Sequence, residues 1–112
     1  MSVPSEPAAR VTVSRRDPRD VGQRQVYARI DDGPTWLLRF GDVFQADLAP
    51  GEHRLRCNNT LFWKRRTFVV RAGEHTEFVL VNRAPRGAFG LLALLGAAPL
   101  VLAIEQRHAP AP

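Results

Sequence analysis

The chain has 112 residues, of which 45% are hydrophobic, and its formal net charge is +5 at neutral pH. This length allows one domain with a tail or an anchor and excludes a second domain. The single cysteine, Cys57, excludes an internal disulfide, and we expect its side chain to be a small buried apolar group in a strand.

The first nine residues, MSVPSEPAA, are polar and contain proline. We expect residues 1–9 to be disordered. They lack the apolar stretch of a secretory signal peptide, so export by that route is not expected.

Short runs of alternating apolar and polar residues, separated by turn residues, extend from residue 10 to residue 83. In one of them, Val26, Ala28 and Ile30 share one face of a strand. About seven such runs at roughly ten-residue spacing predict a mainly β fold, a single small β-sandwich over residues 10–83. The predicted core consists of Val11, Val13, Val26, Ala28, Ile30, Trp36, Leu38, Phe44, Leu48, Leu55, Phe68, Val70, Phe78 and Leu80.

A charged loop, DPRDVGQR at 17–24, follows the first of these runs. The charged residues that can pair there are Asp17, Arg19, Asp20 and Arg24. We interpret them as a salt-bridge cluster that orders the loop, with a contact to a partner as the alternative, because exposed pairs add little stability.

Gly-Glu-His occurs twice, at 51–53 and at 73–75, each time at the start of a predicted strand. We interpret the repeat as two hairpin-type turns that use the same chemistry. The two histidines show no close ligand spacing, so neither a metal site nor a cofactor is expected.

The loop NNTLFWKRR, at 58–66, is the best candidate for a functional surface, since three large apolar residues precede three cations. Adjacent residues of a strand point to opposite faces, so at least one of the apolar three should be exposed. Such a surface fits an anionic membrane or a partner protein, and less well single-stranded nucleic acid. The simpler interpretation is that Phe62 and Trp63 cap the core while the cations are solvated. The candidate contact residues are Leu61, Phe62, Trp63, Lys64, Arg65, Arg66, Arg54 and Arg56.

An uncharged, apolar segment runs from Gly87 to Ile104. As a helix it would be about 27 Å long, close to the roughly 30 Å of the hydrocarbon core of a bilayer. It predicts a C-terminal transmembrane helix over 87–104, followed by a short polar tail at 105–112. Ala93 and Ala97 have the spacing that would let two anchors pack together.

Arg83 and Arg86 adjoin this segment, so the positive-inside rule predicts a single-pass membrane protein whose N-terminal domain is cytoplasmic. The alternative is that the segment breaks at Pro99. In that case LVLAI, at 100–104, would be a buried strand added to the sandwich.

The stretches DLAPGEHRLRC (47–57) and VVRAGEHTEFVLV (69–81) each open a strand with a glycine turn. This layout resembles the small bacterial β-sandwich domains of the PEGA and carboxypeptidase-regulatory-like type. The resemblance implies an immunoglobulin-like or prealbumin-like topology and a non-catalytic binding or scaffolding role. Many domains of that type lie outside the cytoplasm, whereas the flanking arginines favour the cytoplasmic side.

No glycine-rich phosphate loop, nucleophile elbow or cysteine–histidine arrangement is present. We therefore expect a non-enzymatic, membrane-anchored β-sandwich module that contacts anionic lipid or a partner protein and has no small-molecule substrate. The alternative is a soluble basic protein that binds a polyanion such as nucleic acid, with the C-terminal segment completing its core.

Overall fold

A computed structural model describes residues 8–22, 25–60, 62–83 and 101–108 of the chain. All regular secondary structure in these ranges is β-strand, so the fold is mainly β, as the sequence predicted. The eight strands are β1 (Ala9–Ser14), β2 (Val26–Ile30), β3 (Thr35–Leu38), β4 (Val43–Leu48), β5 (Gly51–Asn58), β6 (Trp63–Val70), β7 (His75–Arg83) and β8 (Val101–His108). The predicted disordered lead-in therefore ends earlier than expected, because Ala9 already belongs to β1 and is buried.

The strands form two four-stranded sheets. The first sheet has the order β4-β1-β7-β8 and the second sheet the order β3-β2-β5-β6. Neighbouring strands are antiparallel except for β1 and β7, which are parallel. The two sheets face each other across a shared apolar core, which is the architecture of a sandwich.

The two Gly-Glu-His turns are not hairpins. The first lies between β4 and β5 and the second between β6 and β7, and each connection passes from one sheet to the other. Gly51 and Gly73 have φ angles of 130° and 74°, which favour glycine. Local alternation identifies a turn but not the sheet to which the next strand belongs, so the sequence could not distinguish a hairpin from a crossing.

The core matches the sequence prediction. Eleven of the fourteen predicted residues are buried, and Trp36, Phe44 and Leu48 are partly buried and pack against them. The rings of Trp36 and Phe44 stack across the two sheets with centroids 5.4 Å apart. Cys57 is also buried, as expected. Period-two alternation places every second side chain inward, and for this reason the sequence identifies the core well.

Residues 101–108 form β8, an edge strand of the first sheet. Val101 lies opposite Arg83 of β7, and Ile104 lies opposite Leu80. Leu102 is fully buried in the core cluster. Over residues 101–104 the structure therefore has a strand where the sequence predicted a helix.

The physical reason is that β8 satisfies the outer backbone groups of β7 while alternate apolar side chains enter the core. The rest of the predicted transmembrane helix, with Ala93 and Ala97, lies outside the described residues. Within the described ranges, no helix has the length and apolar character needed to cross a membrane.

The charged loop after β1 is ordered by ion pairs, but only in part by the predicted ones. Arg19 lies 2.8 Å from Asp17 and 2.5 Å from Glu105 of β8. Asp20 pairs instead with Arg15, inside the protein. Arg24 lies outside the described residues. The loop therefore connects β1 to β8 and to the interior, and its ion pairs are mainly structural.

Candidate functional site

The outer surface of the second sheet, here called the basic face, collects the outward side chains of β2, β3, β5 and β6. Since Val26, Ala28 and Ile30 of β2 point into the core, Tyr27 and Arg29 point outward. An open depression of about 450 Å³, here called the groove, lies on this face. Its lining residues are Tyr27, Ala28, Arg29, Thr35, Arg56, Cys57, Asn58, Trp63, Lys64 and Arg65.

Three arginines lie side by side across the basic face and are here called the arginine row. Arg29 of β2 lies opposite Arg56 of β5, and Arg56 lies opposite Arg65 of β6. Neighbouring strands are about 4.8 Å apart. Like charges directly opposite one another on a sheet destabilise it. The arginine row is therefore a concentration of positive charge that folding by itself disfavours.

The hydrogen bonds of the arginine row do not cancel its charge. Arg29 Nε donates to the carbonyl oxygen of Gly33 at 2.8 Å, and Arg56 Nη2 donates to that of Asp31 at 2.9 Å. Both acceptors are neutral. The carboxylate of Asp32 is 3.8 Å from Arg56, but its side chain is 99% exposed, so solvent screens this pair.

Arg65 differs from its two neighbours. No described residue forms a hydrogen bond or an ion pair with its guanidinium. Arg65 lines the groove, and none of its donors is used by the described part of the chain.

A second row, here called the aromatic row, runs beside the arginine row. Tyr27 lies opposite Asn58, and Asn58 lies opposite Trp63. Trp63 is 71% exposed. The Tyr27 hydroxyl donates to Oε1 of Gln25 at 2.8 Å, which holds the phenol ring in place at the edge of the groove.

On the first sheet, by contrast, three arginines lie close to carboxylates. Arg10 lies 3.2 Å from Asp47, and Arg107 lies 3.3 Å from Glu105. Arg16 lies 3.7 Å from a carboxylate oxygen of β7. The charge of these three arginines is therefore partly neutralised by neighbouring carboxylates, unlike that of the arginine row.

The structure divides the predicted contact residues between two sides of β6. Trp63 and Arg65 lie on the basic face, together with Arg54 and Arg56 of β5. They belong to a strand and not to the predicted loop, because β6 already begins at Trp63. This side of β6 supplies the aromatic and cationic groups that could contact a ligand together.

Lys64 and Arg66 alternate to the other side of the strand. Arg66 Nη2 donates to the carbonyl oxygen of Ile104 at 3.1 Å, which connects the two sheets. Phe62 is partly buried against the core, and Leu61 lies outside the described residues.

The sequence prediction missed Tyr27 and Arg29 as site residues. Their outward orientation could be deduced from the alternation of VYARI, at 26–30. Their position beside Arg56 and Trp63 depends on the pairing of β2 with β5, which alternation does not specify.

The described residues offer no arrangement typical of catalysis or metal binding. Desolvation raises the pKa of the Cys57 thiol to about 12 even though Lys64 and Arg66 oppose the shift, so the thiol stays protonated. No group of three or more potential ligands is assembled for a metal within the described ranges. His53 and His75 are engaged separately, with Asp31 and with Thr12.

Comparison with protein-family models, with curated proteins and with solved structures found no match to this chain. The resemblance to PEGA-type domains therefore stays a prediction.

Proposed function

We propose that this protein is a non-catalytic β-sandwich module that binds a polyanion on its basic face. The observation that carries the proposal is the arginine row, in which Arg29, Arg56 and Arg65 lie directly opposite one another. Anionic groups bound between these guanidiniums would replace mutual repulsion by charge-assisted hydrogen bonds. The planar fork of arginine suits phosphate and carboxylate oxygens.

The paired surface of the first sheet supports this interpretation. If the arginine content of the chain were only a matter of composition, both sheets would carry cations in the same state. Instead Arg10 and Arg107 have carboxylate partners, whereas Arg65 has none among the described residues. The difference favours a ligand as the partner of the basic face.

An anionic membrane surface is the second candidate ligand. Trp63 and Val69 are 71% and 63% exposed on the outer side of β6, and exposed apolar groups beside cations suit the headgroup region of an anionic membrane.

A groove favours a chain-like polyanion over a membrane. A bilayer is flat on the scale of this domain and cannot enter the groove that Tyr27 and Arg29 line. A flexible chain of anionic groups can enter the groove and reach all three of the arginines that line it.

Elution from immobilised heparin in a salt gradient tests the proposal. The double variant Arg56→Gln, Arg65→Gln should elute at clearly lower salt than the wild type, because fewer counterions are released on binding. The matched control is Arg10→Gln, Arg107→Gln, which removes the same charge from paired positions on the first sheet. Equal shifts for the two double variants would mean that net charge alone causes retention, and would overturn the proposal.

A further inference from the structure

We infer that the polyanion is a single-stranded nucleic acid, with bases stacked on the aromatic row and phosphates bound by the arginine row. This inference rests on the proposed function and adds the identity of the ligand. It is drawn from the position of the two rows relative to each other.

Each member of the aromatic row has an arginine two residues away on the same strand face. Tyr27 precedes Arg29 on β2, and Trp63 precedes Arg65 on β6. Two residues of a strand span about 6.6 Å. A base that stacks on either ring therefore has its own phosphate within reach of a guanidinium. A ligand without aromatic rings would contact the guanidiniums but would not stack on Tyr27 or Trp63.

The separation of the two rings favours a single strand over a duplex. Tyr27 and Trp63 are two strands apart, which corresponds to about 9–10 Å between their backbones. A duplex hides the faces of its bases inside the stack. A single strand can splay two bases apart and place one on each ring.

Asn58 lies between the two rings and also lines the groove. Its Oδ1 accepts a hydrogen bond from the backbone nitrogen of Thr60 at 3.1 Å. No described residue accepts from its amide nitrogen, so the Nδ2 hydrogens can donate to a carbonyl or ring nitrogen of a base. An amide donor between two aromatic rings can hydrogen-bond the edge of a base that is stacked on either ring.

The test measures binding of a fluorescein-labelled thymidine oligonucleotide of roughly 12 residues, a length suited to one such face, beside binding of heparin. The proteins are the full chain and its variants Trp63→Ala, Arg65→Gln and Arg10→Gln. Trp63→Ala should weaken oligonucleotide binding about 5- to 100-fold, the effect of losing one stacked base, and leave heparin binding unchanged. Arg65→Gln should weaken both, and Arg10→Gln neither.

Tryptophan emission gives a second measurement, made on the wild type and on Trp63→Ala with unlabelled oligonucleotide because Trp36 also emits. The oligonucleotide should quench the exposed tryptophan, and heparin should not. A Trp63→Ala variant that melts as the wild type does and still binds the oligonucleotide equally well would overturn the inference.

The outcomes separate the two proposals. If Arg65→Gln weakens both ligands but Trp63→Ala weakens neither, the polyanion module stands and the nucleic acid is wrong. If Arg65→Gln and Arg10→Gln behave alike, the proposed function itself fails. Binding to vesicles of phosphatidylserine and phosphatidylcholine that depends on Trp63, with no binding of the oligonucleotide, would assign the face to a membrane.

Discussion

Arg15 and Asp20 form an ion pair that is fully buried at one end of the sandwich. Arg15 Nε lies 3.0 Å from Asp20 Oδ2, and Nη2 lies 3.2 Å from Oδ1. Asp20 also accepts from the backbone nitrogens of Gly22 and Asn82, and Arg15 Nη1 donates to the carbonyl oxygen of Leu38. The pair thus connects the loop after β1 to β7 of the first sheet and to β3 of the second.

Replacing Asp20 should destabilise the fold strongly. Asp20→Ala leaves the Arg15 guanidinium buried without its carboxylate, and loss of one partner of a buried pair costs about 3–5 kcal/mol. Urea denaturation followed by tryptophan fluorescence measures the change. The control is Asp47→Ala, which removes the exposed partner of Arg10 and should cost at most about 1 kcal/mol. Similar values for both variants would contradict a structural role for the buried pair.

His53 connects the turn after β2 to the start of β5. Its Nδ1 donates to Asp31 Oδ2 at 2.5 Å, and its Nε2 donates to the carbonyl oxygen of Ala49 at 2.6 Å. Both nitrogens can donate only in the protonated ring. Desolvation opposes protonation, but the bonds to Ala49 and Asp31 outweigh it and raise the pKa of His53. Desolvation likewise opposes ionisation of Asp31, yet its bonds to His53 and the Arg54 backbone lower its pKa.

The stabilisation from this pair should depend on pH in a defined direction. The His53 contribution is present below the ordinary histidine pKa of about 6.5 and is lost as pH rises through the raised folded-state pKa. The Asp31 contribution is present above about 3.9 and is lost as pH falls through its lowered pKa. The pair therefore contributes most between about pH 4 and 6.5.

Thermal unfolding of the wild type and of His53→Gln, measured across this range and up to about pH 8.5, checks the prediction. The difference in stability between the two proteins should shrink as pH rises above neutrality. A difference that stays constant with pH would show that His53 acts without its charge.

Leu102 tests whether β8 belongs to the sandwich. Its side chain is fully buried in the core, so Leu102→Ala should lower the free energy of unfolding by about 2–5 kcal/mol. The exposed neighbour Gln106 provides the control, because Gln106→Ala should change stability by less than about 0.5 kcal/mol. If residues 101–104 lay in a membrane helix instead, Leu102→Ala would leave the melting temperature of the sandwich unchanged.

The Cys57 thiol should be unreactive in the folded protein. Desolvation raises its pKa to about 12, so almost no thiolate is present near pH 8, and the side chain is buried. Ellman's reagent should therefore label the native protein very slowly and the urea-unfolded protein rapidly. Fast labelling under native conditions would mean that the inner side of β5 opens to solvent.

The strand pattern and the core could be predicted because both depend on local alternation. Val26, Ala28 and Ile30, for example, are buried and alternate with the half-buried Tyr27 and Arg29 along β2. The buried Arg15 could not be predicted in this way. An arginine beside a charged loop is normally solvated, and its burial depends on Asp20, the Asn82 backbone and the Leu38 carbonyl converging on one point.

The apolar C-terminal segment was ambiguous for a related reason. Composition and length describe a helix that crosses a bilayer about as well as they describe a buried strand. Residues 101–104 form a strand because the outer edge of β7 is open to pairing. The backbone of β8 satisfies the hydrogen-bonding groups of β7 at this edge, and Leu102 reaches the core.

Only part of the candidate site could likewise be predicted from the sequence. Alternation within each strand already determines that Arg29, Arg56 and Arg65 each stand on the outer side of a strand. Their alignment in one row, with Tyr27 and Trp63 beside it, arises from the register of β2 with β5 and of β5 with β6. The short connection between β5 and β6 fixes the register of that pair, whereas β2 and β5 are far apart in the chain and their register depends on which side chains the core buries.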